Sequence, residues 1–159
     1  MATRAWLDPL SASFPSSNFA PLLTVNQRPV LAFDAATNET AYWTLAVPQG
    51  ITGTMTVIIS LIMASATTGD TDWDVAVEAF STGDAVDLDA GTSFDTTNST
   101  DNTTVPGTAG YMQQITVTLT NNDSLAAADL IRISLTRDAA SDTATGDAYV
   151  LGAEFRDAA

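Results

Sequence analysis

The stretch Thr54-Met-Thr-Val-Ile-Ile-Ser-Leu-Ile-Met63 sets Met55, Val57, Ile59, Leu61 and Met63 on one face of an extended chain. Thr54, Thr56 and Ser60 fall on the other face, with Ile58 and Ile62 as exceptions. A period of two is the pattern of a β-strand with one buried face. The two exceptions imply a strand near the middle of a sheet whose outer face is also partly covered. The pattern constrains the fold because it recurs. Ala41, Trp43, Leu45 and Val47 share a face, as do Trp73, Val75, Val77 and Ala79 against Asp74 and Glu78. Ile115, Val117 and Leu119 alternate with threonines, and Ile131, Ile133 and Leu135 oppose Arg132, Ser134 and Thr136. Near the end, Tyr149, Leu151, Ala153 and Phe155 oppose Val150, Glu154 and Arg156, and Pro29 to Asp34 is a shorter candidate. The one helix-like run, Leu125 to Asp129, is too short for a stable helix and reads as a turn.

Turn signals separate these runs: Pro48-Gln-Gly50, Thr68-Gly-Asp70, Gly83-Asp84, Pro106-Gly107, Asn121-Asn-Asp123 and Gly146-Asp147. Seven or eight strands with no intervening helix predict an all-β chain, an antiparallel two-sheet sandwich. A jelly roll fits best, because the long polar stretch Ser81 to Gly110 needs a fold that tolerates one large loop. That stretch has room for one or two short edge strands around Thr92 to Thr97. An immunoglobulin-like sandwich comes second, since the cysteine pair of that fold is missing. Residues 1–28 differ in texture. Large apolar residues stand among Pro9, Pro15, Pro21 and many serines with no steady period, which predicts an extended N-terminal arm. The division is therefore an arm over 1–28 and a jelly-roll domain over 29–159. The arm's apolar residues must be buried, either against the domain's own surface or against a neighbouring subunit.

The 159 residues include no histidine and no cysteine, and the five cations are all arginine. The chain thus has no imidazole for proton transfer near neutral pH, no thiolate and no Schiff-base lysine. Zinc sites built from Cys or His are ruled out as well. The formal net charge of −14 argues against nucleic acid and against an anionic membrane surface as partners. Asp8 and Pro9 interrupt any apolar run near the start, so no cleavable signal is expected. The apolar run Val57 to Ala64 falls well short of the ~20 residues that a membrane span needs.

Asp70-Thr-Asp-Trp-Asp74 opens like a calcium loop, but Val75 and Ser81 stand where such a loop needs Gly and a bidentate Glu. Glu39, Glu78 and Glu154 are the only glutamates available as a glycosidase pair, and Glu78 and Glu154 alternate with core positions, as solvated strand-face charges do. Neither a cofactor nor a metal is expected, and the chain is not expected to be an enzyme. The arginines on and beside the strands read as surface ion pairs.

Arg28-Pro-Val-Leu-Ala-Phe-Asp34 with Glu39-Thr-Ala-Tyr-Trp-Thr-Leu45, Trp73-Asp-Val-Ala-Val-Glu-Ala79 and Asp123-Ser-Leu-Ala-Ala-Ala-Asp-Leu-Ile-Arg-Ile133 resemble a family of jelly-roll capsid decoration (cement) proteins of tailed bacteriophages. The ending from Arg137 to Asp147 and from Tyr149 to Phe155 is similar too, and the likeness covers most of residues 28–156. It implies a virion component on the outer capsid surface, a homotrimer that stabilises contacts between major capsid protein subunits. The partner-interface candidates are then Arg4, Trp6, Leu10, Phe14, Phe19 and Arg28. On this reading, deleting residues 1–24 abolishes capsid binding and leaves a folded domain. The alternative is a tail or fibre module that recognises a receptor or glycan through the loop from Ser81 to Gly110, where Phe94 and Tyr111 are the available aromatics.

Overall fold

A computed structural model describes residues 2–158 as a two-sheet antiparallel sandwich of ten strands and one short 3₁₀ turn, with no α-helix among the described residues. The strands are β1 (Ala2–Leu7), β2 (Leu22–Val25), β3 (Arg28–Phe33), β4 (Glu39–Ala46), β5 (Met55–Met63), β6 (Asp70–Phe80), β7 (Asn98–Thr104), β8 (Met112–Leu119), β9 (Leu130–Arg137) and β10 (Ala148–Asp157). One sheet runs β2-β3-β10-β5-β8, with β1 also paired to β10; the other runs β4-β9-β6-β7. β5 lies along one side of β10. On the other side β3 pairs with residues 148–150 and β1 with residues 153–157.

The core fills the space between the sheets, from the inward set of each strand. Val57, Ile59 and Leu61 of β5 meet Trp73, Val75 and Val77 of β6 and Ile131, Ile133 and Leu135 of β9, all buried. The Phe33 ring stands edge-on to Trp73 with centroids 5.2 Å apart, an arrangement favoured by the ring quadrupoles. Each such side chain contributes about 1.5–3 kcal/mol by leaving water.

Every strand expected from alternation is present, and the Leu125–Asp129 run is a turn. β10 differs in register. A bulge between Val150 and Gly152 reverses the facing, so Val150 is buried while Tyr149 and Leu151 turn outward. Gly152 itself has φ +145°, and a Cβ there would collide with Cζ2 of Trp6. Only glycine lets the Trp6 ring lie across the strand.

The N-terminal segment runs along one side of the sandwich and is tied to both sheets. β1 joins β10, Asp8 caps the turn Pro9–Ser11, and single bridges link Ser13 to Tyr42 and Phe19 to Thr40. β2 then pairs with β3. The two strands β1 and β2 escape an alternation search because neighbouring strands, rather than a repeating apolar face, hold them in place. β7 escapes it for a related reason: Asn98-Ser-Thr-Asp-Asn-Thr-Thr104 is a polar edge strand, lying just beyond the expected 92–97.

Candidate binding cleft

Register builds the site. On the outer face of the four-stranded sheet, Thr44, Arg132 and Glu78 form a cross-strand row over β4, β9 and β6. Ala46, Leu130 and Phe80 form the next row. The connection 81–97 folds back over this face. Its Ser93 N–H donates to Oε2 of Glu78 at 2.6 Å, and its Asp95 N–H donates to the Val77 carbonyl at 2.9 Å. Asp95 in turn accepts from the Asp123 N–H at 2.9 Å, and the Ser81 hydroxyl donates to Asp129 at 2.6 Å. These bonds anchor the loop at both ends and leave its Phe94 ring stacked on Tyr42, centroids 5.7 Å apart and 15° from parallel.

Arg132 stands at the centre of this arrangement. Its Nε lies 2.5 Å from Oε1 of Glu78, and its guanidinium carbon lies 5.1 Å from the Tyr42 ring centre and 5.0 Å from that of Phe94. Cations are attracted to ring faces at such distances. Glu78 is only 1% exposed, which corrects the expectation of a solvated charge on the strand face. The loop covers it, and a covered carboxylate needs a cation and hydrogen-bond donors, here Arg132 and Ser93. The Arg132 side chain stays 28% exposed and makes no hydrogen bond to another described residue beyond this ion pair. Beside it opens a cleft of about 150 Å³, walled by Thr44, Phe80, Leu88, Gly91 and Leu130. Chemically the cleft offers a fork of N–H donors over an apolar wall, with its positive charge already balanced by Glu78.

The interface residues expected from sequence do not converge here. Arg4 donates to Asp157 at 2.7 Å and to the Gly50 carbonyl at 3.2 Å, an intrachain ion pair. Trp6 lies over Gly152 on the six-stranded sheet, 48% exposed, and Leu10 in the 3₁₀ turn is 68% exposed. Phe14 and Phe19 pack on each other at 5.7 Å, beside the β4 edge. Arg28 donates to the Asn26 carbonyl at 3.1 Å, on the six-stranded side. Of the two loop aromatics, Phe94 packs on Tyr42 and Arg132 next to the cleft without lining it, and Tyr111 is exposed elsewhere. From sequence, Tyr42 is not singled out, and Glu78 is weighed only as a catalytic carboxylate and set aside as a solvated charge, because their meeting with Arg132 depends on strand register and on where the loop lands. The one sequence signal was the scarcity of cations, which marks each arginine as a place to look.

No protein-family model and no curated protein matches the sequence. Among solved structures the chain is similar to CBM35 from Cellvibrio japonicus Abf62, with a TM-score of 0.58 and 10% identity over 98% of this chain and 94% of that one. It is also similar to part of the arabinose-bound MgGH51 α-L-arabinofuranosidase, with a TM-score of 0.54 and 14% identity over 96% of this chain and 26% of that one. At these identities the likeness is one of fold, and the fold is the expected jelly-roll sandwich.

Proposed function

We propose that the chain is a non-catalytic binding module that takes a single saccharide unit in the cleft under the 81–97 loop. The observation that carries this reading is Arg132, held between Glu78 and two aromatic rings, its Nε buried against Glu78 and its side chain, 28% exposed, lining the cleft. Because Glu78 cancels the charge, an anion gains little there, while adjacent sugar hydroxyls can accept from the guanidinium fork. Phe80, Leu88 and Leu130 offer apolar contact to the carbon skeleton of a ring. The volume suits one ring or a chain end. The fold shared with CBM35, a carbohydrate-binding module by its name, supports the same reading.

A panel of immobilised neutral oligosaccharides tests it. The protein should bind a subset saturably, and Leu88→Ala, an exposed wall position, should weaken binding several-fold. The double variant Arg132→Met/Glu78→Gln, which leaves no buried charge unpaired, should abolish it. Absence of binding across the panel, or binding indifferent to both variants, rejects the assignment.

A second reading rests on the exposed Leu10, Phe14 and Phe19 and on the resemblance to phage decoration proteins. In it the chain is a homotrimer seated on major capsid protein at a virion's outer surface. Light scattering on the purified chain separates the two: a trimer that Phe14→Ser/Phe19→Ser dissociates favours the structural role, and a monomer speaks against it.

A further inference from the structure

We propose that the outer face of the six-stranded sheet carries a second, separate site that takes a small carboxylate with an apolar body. Its floor is an apolar patch drawn from four adjacent strands: Leu151 of β10, Ile62 of β5 and Met112 of β8, together with Val30 of β3, which is itself fully buried. The β10 bulge is what turns Leu151 to this side. The β2–β3 hairpin forms one wall and Gly110 the other, enclosing about 370 Å³, at the small end of the range for ligand pockets.

The charge at the mouth selects the ligand. Arg4, Arg132, Arg137 and Arg156 are each ion-paired to an acid of the chain. Arg28 has no ion pair among the described residues and makes one hydrogen bond, to the Asn26 carbonyl. In a chain where 19 acids face 5 bases, it is the one arginine with no ion pair among the described residues. Its position is fixed by the hairpin: Val25 and Arg28 pair across a two-residue turn in which Asn26 and Gln27 have φ of +44° and +64°. A carboxylate docked on this guanidinium forms charge-assisted hydrogen bonds, and the apolar patch receives the rest of the molecule. The contrast with Arg132 is one of charge, since Glu78 neutralises that arginine and no acid among the described residues is paired with Arg28.

Titration of the isotope-labelled full chain with phenylbutyrate and octanoate, followed by amide chemical shifts, tests the site. Saturable shifts are expected at residues 25–30, 110–112 and 151. Phenylbutyramide, the uncharged counterpart, should bind about tenfold more weakly. Arg28→Gln should lower carboxylate affinity to the level of the amide. Met112→Asp, at a position 63% exposed, should abolish carboxylate binding without changing the fold. The proposal is overturned by absence of saturable shifts with both acids, by shifts centred elsewhere, or by equal affinity for acid and amide. It is also overturned if the groove is filled by a second copy, seen in sedimentation as a concentration-dependent dimer that Met112→Asp dissolves. Saccharide binding on the opposite sheet is unaffected by Arg28→Gln, so the two sites fail or stand independently.

Discussion

Arg137 closes the core where β9 ends, and it is fully buried. Its Nε donates to Asp142 at 2.6 Å, one terminal nitrogen donates to the carbonyls of Phe33 and Gly146, and the other to that of Ala144. One side chain thus joins the end of β3 to the loop that leads into β10. Arg137→Met removes the cation paired with Asp142 and withdraws the guanidinium donors from three carbonyls. The expected loss is about 3–5 kcal/mol in a urea unfolding curve. Arg137→Lys recovers little, since an ammonium cannot reproduce the planar fork. A Met variant as stable as the parent would show that the cluster contributes nothing. Parity carries a signal of this burial that the surface reading passes over: Ile131, Ile133, Leu135 and Arg137 share one face, just as Ala153, Phe155 and the buried Asp157 do. The surface ion pair expected for Arg137 is corrected here, because the opposing loop supplies three carbonyls that sequence alone does not locate. Asn98 is a similar case. It sits in a sequon-like Asn-Ser-Thr yet is buried, with its amide donating to the carbonyls of Val75 and Asn121.

At the scale of elements, alternation finds a strand when one face is apolar and the other polar, and β4, β5, β6, β8 and β9 meet that condition. β10 meets it only in halves, because Gly152 shifts the phase midway. β1, β2 and β7 do not meet it, since edges are ordered by pairing and can be polar. The N-terminal segment is where this matters most. Leu7 and Ala20 are buried in the core, the Asp8 carbonyl accepts from the Trp43 indole at 2.9 Å, and β1 supplies the edge partner for half of β10. Deleting residues 1–24 therefore removes core and bares the edges of both β4 and β10. The expected outcome is a large drop in melting temperature or an aggregating product, rather than the intact domain anticipated from sequence. A truncated chain with the parent's melting temperature would show that the segment is an accessory. The cleft was legible only in part. Phe94 stood out as an aromatic in a polar loop, but its partners Tyr42 on β4 and Arg132 on β9 are distant in sequence, and only the sheet order brings them together.

Over the whole molecule, the acid load sets how stability responds to pH. At neutral pH the net charge of −14 strains the compact state through self-repulsion. Partial burial also raises the pKa of Glu39, Asp74 and Asp142 above the ordinary carboxylate value, in Asp142 despite the neighbouring Arg137. A raised pKa means that the native state holds its proton to higher pH than the unfolded chain does. Its stabilising contribution is complete below the ordinary value and is lost as pH rises through the raised one. Hydrogen bonds act in the opposite sense on three other acids. Donors from Ser141 and Asn38 lower Asp138, those from Thr3 and Arg156 lower Glu154, and backbone N–H groups of Asp123 and Thr96 lower Asp95. Their contribution is present above the ordinary value and is lost as pH falls through the lowered one. The two sets place the optimum near the ordinary carboxylate range, about pH 4–5. The urea midpoint should therefore rise as pH is lowered from 7 to about 5 and fall again below about 4. Salt separates the two causes of the rise. It screens long-range repulsion but leaves the cost of burying a carboxylate in place. In high salt the slope between pH 7 and 5 should shrink without vanishing, and Glu39→Gln/Asp74→Asn should remove most of the remainder. A midpoint that falls steadily from pH 7 downward would mean that the hydrogen-bonded acids, rather than the buried ones, govern the stability of this sandwich.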